Sequence, residues 1–193
     1  MHWKDADHGR VSFAGKDVTV RDPGRLYRTG LSRTFQQARV FPQLSVQENL
    51  VVAAGYGWSG LFTRRVGHTD RERAEQLLEE FRLAPVADLL AAELSYGQRK
   101  LLEFAAVLMS SPRLVLLDEP TAGVNPVMIE TMERHIRNRH AAGITFLIVE
   151  HDMTFVMRLC DPVIVMDDGR PIFNGRPAEV QSNPLVLDAY LGG

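Results

Sequence analysis

The chain has a single cysteine, Cys160, which excludes an intrachain disulfide and fits a reducing compartment. It has no stretch approaching the roughly 18–20 consecutive apolar residues of a membrane-spanning helix. Its opening, MHWKDADHGR, is polar and lacks the apolar middle of a secretion signal. Neither sign of charge dominates: 22 Lys and Arg stand against 24 Asp and Glu, a formal net charge of −2. That balance gives no electrostatic case for nucleic acid or an anionic membrane as a partner. Long heptad arrays are also missing, which excludes a coiled-coil rod. What is present is ordinary globular material, 45% hydrophobic and 24% charged over 193 residues, enough for one domain with a sizeable core. If such a chain works at a membrane, it docks on something already there.

The most informative stretch runs from Leu94 to Pro120, LSYGQRKLLEFAAVLMSSPRLVLLDEP. Ser95 and Gln98 have capping-box spacing, with hydroxyl and amide set to satisfy the free N–H groups of a helix start. Leu101, Leu102, Ala105, Leu108 and Met109 then recur at helical spacing, and Ser110-Ser111-Pro112 ends the pattern. Leu114 to Leu117 predicts a strand buried on both faces, as in a parallel sheet. That strand delivers Asp118 and Glu119 to its C-terminal end, where open α/β sheets bind ligands.

The remainder supplies flanking elements. Val11, Phe13, Val18 and Val20 around Gly15 predict short strands with a turn. Arg25 to Gly30 reads as a short helix leading into a strand, Leu31 to Phe35, that ends at Gln36. Ser45 to Leu50 opens a helix, and residues 55–68 read as a loop. Thr69 and Glu72 are spaced as a second capping box, ahead of a helix whose Ala74, Leu77, Leu78 and Phe81 share a face. A weaker helical stretch is expected over Pro85–Ala92. Asn125 and Pro126 are a cap and first residue for a helix that runs to about Ala142 and stops at Gly143. Ile144–Val149 predicts a second buried strand, followed by Glu150, His151 and Asp152, with Asp152 capping Met153–Leu159. Asp168-Gly169 predicts a hairpin turn, and Pro177 and Pro184 each open a terminal helix.

These motifs resemble the ATP-binding subunit of an ABC transporter, most closely the branched-chain amino-acid uptake type. LSYGQ is similar to the family signature, LVLLDEP to the Walker B strand with its catalytic glutamate, Gln36 and the segment after it to the Q-loop, Thr121–Asn125 to the D-loop, and His151 to the switch histidine. The resemblance implies an α/β, P-loop NTPase-like ABC core: a mostly parallel sheet with flanking helices, forming one ATP-binding domain over 1–193. Within it, 37–97 would be the helical subdomain and 98–193 the core carrying Walker B and the switch histidine. The 58 positions from Gln36 to Leu94 suit a transporter rather than a DNA-repair relative.

The resemblance also assigns roles. Asp118 and Gln36 would serve Mg²⁺, while Glu119, His151 and Gln36 act on the attacking water and the γ-phosphate of ATP. Ser95, Tyr96, Gly97 and Gln98 would face the ATP of a second ABC subunit, in a homo- or heterodimer, and Asn125 would also bind nucleotide. Permease subunits and, indirectly, a solute-binding protein would complete the assembly on the inner face of the cell membrane. Nucleic acid is not expected as a partner. One family element is missing: Gly9 and Gly15 enclose five residues and Lys16 precedes Asp17, so no Gly-x-x-x-x-Gly-Lys-Ser/Thr phosphate cradle occurs. Lys16 instead reads as a surface residue in a strand turn. The expectation is an N-terminally truncated family member with unpaired strand edges, negligible ATPase activity in isolation and weak nucleotide binding.

Overall fold

The computed structural model describes residues 8–19, 23–34, 40–54 and 68–191. Its centre is a three-stranded parallel sheet, β3 (Leu31–Arg33), β4 (Leu114–Asp118) and β5 (Thr145–Val149), with β4 in the middle. Leu31 pairs with Leu114, and Asp118 pairs with Val149. Two antiparallel hairpins stand apart in pairing: β1 (Ser12–Phe13) with β2 (Lys16–Asp17), and β6 (Val163–Asp167) with β7 (Arg170–Gly175). Both turn on consecutive residues of positive φ, Ala14-Gly15 and Asp168-Gly169, the backbone that matches strand twist in a two-residue hairpin. Lys16 lies exposed in the first hairpin, as expected of a turn lysine.

Helices α1 (Pro23–Arg28), α2 (Val46–Ala53), α3 (His68–Glu80) and α4 (Tyr96–Leu108) precede β4. Helices α5 (Pro126–Ala141), α6 (Met153–Leu159), α7 (Pro177–Ser182) and α8 (Pro184–Leu191) follow it. The capping boxes at Ser45 and Ser95 form, and Asn125 and Asp152 cap α5 and α6 through their side-chain oxygens. The apolar stripe of α4 is buried throughout, from Leu101 to Met109. It meets Val115 and Leu117 of β4 and the Ala74, Leu77, Leu78 and Phe81 face of α3 in one core. Phe104 sits edge-on to both Phe81, at 5.5 Å, and Phe146, at 6.3 Å, so the signature helix is keyed to both α3 and the sheet.

Three expectations need correction. Thr69 does not cap its helix, because α3 already includes His68, whose Nδ1 lies 3.2 Å from Glu72 in an i,i+4 pair. Residues 85–92 form no helix. Two single 3₁₀ turns, Ala84–Val86 and Ala91–Glu93, replace it, since Ser45 bridges to Leu90 and the α2 start draws its backbone partners from Ala87 and Leu89. Strand β5 is not buried on both faces: Phe146 and Ile148 face the core, whereas Leu147 is 54% and Val149 59% exposed. Strand β4 is intermediate, with Val115 and Leu117 fully buried and Leu114 and Leu116 half-buried. Among the described residues no strand pairs with the outer edge of β5 or β6.

Candidate functional site

The site gathers at the C-terminal ends of β4 and β5. Asp118 ends β4, and its Oδ2 accepts from Arg33 Nη2 at 2.7 Å across the sheet, both side chains being 29% exposed. The backbone N–H of Asp118 reaches Thr34 Oγ1 at 3.4 Å, and Thr34 N–H donates to the Leu116 carbonyl at 2.9 Å. The carboxylate is therefore held from the β3 side at the level of both side chain and backbone.

Glu119 follows with φ 46°, an uncommon conformation for a residue with a side chain. Its N–H donates to the Val149 carbonyl at 2.9 Å, which carries the β4–β5 ladder one residue past the strand ends. Glu119 thus lies directly beside the turn Glu150-His151-Asp152. His151 is 74% exposed at its side chain, with Nδ1 at 3.7 Å from Glu150 Oε2. Asp118, Glu119 and His151 are brought together. Gln36 lies outside the described residues, as do residues 55–67 of the loop expected after α2.

The second group of candidates lies on the adjoining surface. Ser95 and Tyr96 are exposed at the start of α4, where Ser95 Oγ accepts from Gln98 N–H at 3.3 Å and Gln98 Oε1 accepts from Ser95 N–H at 3.0 Å. The Gln98 side-chain oxygen is therefore occupied in folding the cap. Tyr96 packs over Gly123, where φ is +70° and a Cβ would come within 3.2 Å of Tyr96 Cε1; only glycine suits both demands. Gly97 faces Met128 on the first turn of α5. Asn125 is exposed, and its Oδ1 is engaged with Met128 N–H at 3.0 Å as a helix cap. The signature start and the Thr121–Asn125 turn therefore form one continuous patch beside the carboxylates.

For a divalent cation the donor set is sparse but of the right kind. Asp118 offers hard carboxylate oxygen, the ligand type of Mg²⁺, which keeps most of its waters. Arg33 already supplies positive charge at Oδ2, so a metal there shares the carboxylate with the guanidinium or displaces it. Among the described residues no cluster of three or more His, Cys, Asp or Glu side chains forms a preformed metal cage. Arg33 is not singled out by the sequence, and Thr121 and Glu150 stand there only as members of turn segments with no role. The only hints are a charge at the end of a short strand and a carboxylate immediately before the candidate histidine.

The chain is similar to known proteins in both sequence and fold. The family model described as ABC transporter matches residues 2–122, and one described as branched-chain amino acid ATP-binding cassette transporter matches 170–193. The probable branched-chain amino acid transport ATP-binding protein LivG of Archaeoglobus fulgidus is 38% identical over 194 residues, covering 97% of this chain and 75% of that protein. The high-affinity branched-chain amino acid transport ATP-binding protein BraF of Pseudomonas aeruginosa is 36% identical, covering 95% of this chain and 76% of its own length. A crystal structure of a nucleotide-free ATP-binding cassette from an ABC transporter superposes with a TM-score of 0.84 at 35% identity, over 98% of this chain and 79% of that one. The ADP conformation of such a cassette superposes with a TM-score of 0.83, also at 35% identity, with the same coverage.

Proposed function

Because the chain belongs to the ABC transporter family as an ATP-binding subunit, we propose that it energises uptake of branched-chain amino acids or similar solutes. It does so paired head to tail with a second ATP-binding subunit. The observation that supports this reading is the placement of two groups of candidate residues on one molecule. Asp118, Glu119 and His151 stand at the strand ends, and an exposed, capped LSYGQ helix start stands beside them. The first group serves the chain's own nucleotide and the second serves the partner's. The solute class is supported by the names of the similar proteins and by the match over 170–193.

The residues divide the work. The carboxylate of Glu119 accepts a proton from the attacking water, the general-base role suited to a group at hydrogen-bond reach. His151, exposed at the end of the neighbouring turn, donates to the γ-phosphate, and Gln36 completes that side. Mg²⁺, held through Asp118 and Gln36, would offset phosphate charge when bound. On the donated side, the first N–H groups of the 13-residue α4 and its dipole favour an anion near Ser95 and Gly97. The described helices within 37–97, α2 and α3, would belong to a helical subdomain that meets the transmembrane permease subunits. No helix among the described residues is long and apolar enough to cross a membrane, which suits a peripheral place on the inner face of the cell membrane, reached through the permease.

A second reading is favoured by one observation: Asp118 is ion-paired with Arg33. Here the chain lends LSYGQ to a partner's ATP while its own site is non-catalytic. Counting nucleotide trapped in the assembled pair under non-hydrolysing conditions separates the two. Two nucleotides per pair support hydrolysis on both sides, one supports the lending role, and none contradicts both.

A further inference from the structure

Glu150 has no part in the roles assigned above, yet its carboxylate is enclosed by hydrogen-bond donors. Its side chain is 0% exposed. Oε1 accepts from the Thr121 backbone N–H at 2.8 Å and from the Thr121 hydroxyl at 2.5 Å. Oε2 accepts from the N–H groups of His151, at 2.9 Å, and Asp152, at 3.3 Å. One oxygen thus faces the turn after β4 and the other faces the turn after β5. A carboxylate removed from water is tolerated only where donors surround it, and bonds to an ionised acceptor are stronger than neutral ones. These donors come from two separate segments. Thr121 is two residues beyond Glu119, and His151 is the residue after Glu150.

We propose that Glu150 is a positioning residue that clamps the Glu119 turn and the His151 turn into one fixed relation. The backbone bond from Glu119 N–H to the Val149 carbonyl ties the turns where they leave the sheet, and Glu150 ties them again where they diverge. The φ of 46° at Glu119 is the kind of conformation that persists only when its surroundings hold it. The catalytic consequence rests on the roles given above to Glu119 and His151; the clamp itself does not.

The test uses the isotopically labelled full chain and the variants Glu150→Gln, Thr121→Val and Thr121→Ser. In Glu150→Gln, an NH₂ group replaces one acceptor oxygen and opposes a donor. Amide exchange at Thr121, His151 and Asp152 should accelerate by about tenfold or more, while Val115 and Leu117 inside β4 keep wild-type rates. The His151 imidazole resonances should shift in Glu150→Gln and in Thr121→Val, because Thr121 acts on His151 through Glu150. They should return to their wild-type positions in Thr121→Ser, which restores the hydroxyl. Wild-type exchange in Glu150→Gln, a uniform rise that includes Val115 and Leu117, or His151 resonances indifferent to Thr121→Val would each overturn the clamp. These readouts do not depend on ATP turnover. A chain that passes them but hydrolyses nothing in the assembled pair keeps the clamp and loses the hydrolytic reading.

Discussion

His135 illustrates what a single residue contributes to joining the helical and sheet-bearing parts of the chain. It lies on α5 at 2% exposure, its ring stacked on Phe81 with centroids 4.0 Å apart, and Nδ1 is 3.3 Å from Glu80 Oε1. Arg139 also binds Glu80. Burial pushes the His135 imidazole below its usual value, the Glu80 carboxylate opposes that, and Arg134 and Arg139 add to the lowering. The sign follows from linkage. The unfolded histidine takes up a proton near pH 6.5, whereas the folded one does so only at lower pH, so acidification through and below that value favours the unfolded state. Thermal melts between about pH 7.5 and about pH 5.5 should show the midpoint of wild type falling more than that of His135→Phe. Parallel curves would remove His135 from the account. Nothing in the sequence pattern singles out His135 within the helix expected after Asn125. Its partner is 55 residues away, as Arg33 is 85 from Asp118, and such pairings depend on how elements pack rather than on local pattern.

At the scale of elements, local chemistry was the most legible part of the molecule. Ser45, Ser95, Asn125 and Asp152 each cap the helix that their spacing indicated, and Gly15, Gly143 and Gly169 take the positive φ that suits glycine at a turn or helix end. The misplaced elements are those where a competing contact decides. Pro85–Ala92 gives up helical bonds to pair with the α2 start, and Thr69 is overtaken by a helix that begins earlier. The Ser95 cap provides a clean test because its partners are local and exposed. Ser95→Ala should lower stability by about 1 kcal/mol, read from denaturant unfolding, with the slope unchanged. A loss near zero would mean that packing of Phe104 and the α4 stripe alone fixes the signature start.

At the scale of the whole molecule, two strands of the described residues present open outer edges. Leu147 and Val149 on β5, and Ile164 and Met166 on β6, are all more than half exposed, and neither strand's outer edge is paired among the described residues. Unprotected edges of this kind template pairing between chains. Light scattering at rising concentration should therefore show self-association of wild type that is reduced in the Leu147→Thr, Val149→Lys double variant. Equal scattering would locate the association elsewhere.

The central claim, that LSYGQ is offered to a partner's nucleotide, is tested most directly at Gly97. A Cβ there meets Met128 no closer than 3.4 Å, an ordinary contact, so Gly97→Ala should fold and function, whereas Gly97→Asp sets a carboxylate where phosphate charge is expected. The measurement is ATP hydrolysis by a second ATP-binding subunit that carries an intact phosphate cradle, assembled with this chain as wild type, Gly97→Ala or Gly97→Asp. The account predicts turnover with the first two and its loss with Gly97→Asp; undiminished turnover with Gly97→Asp would contradict it.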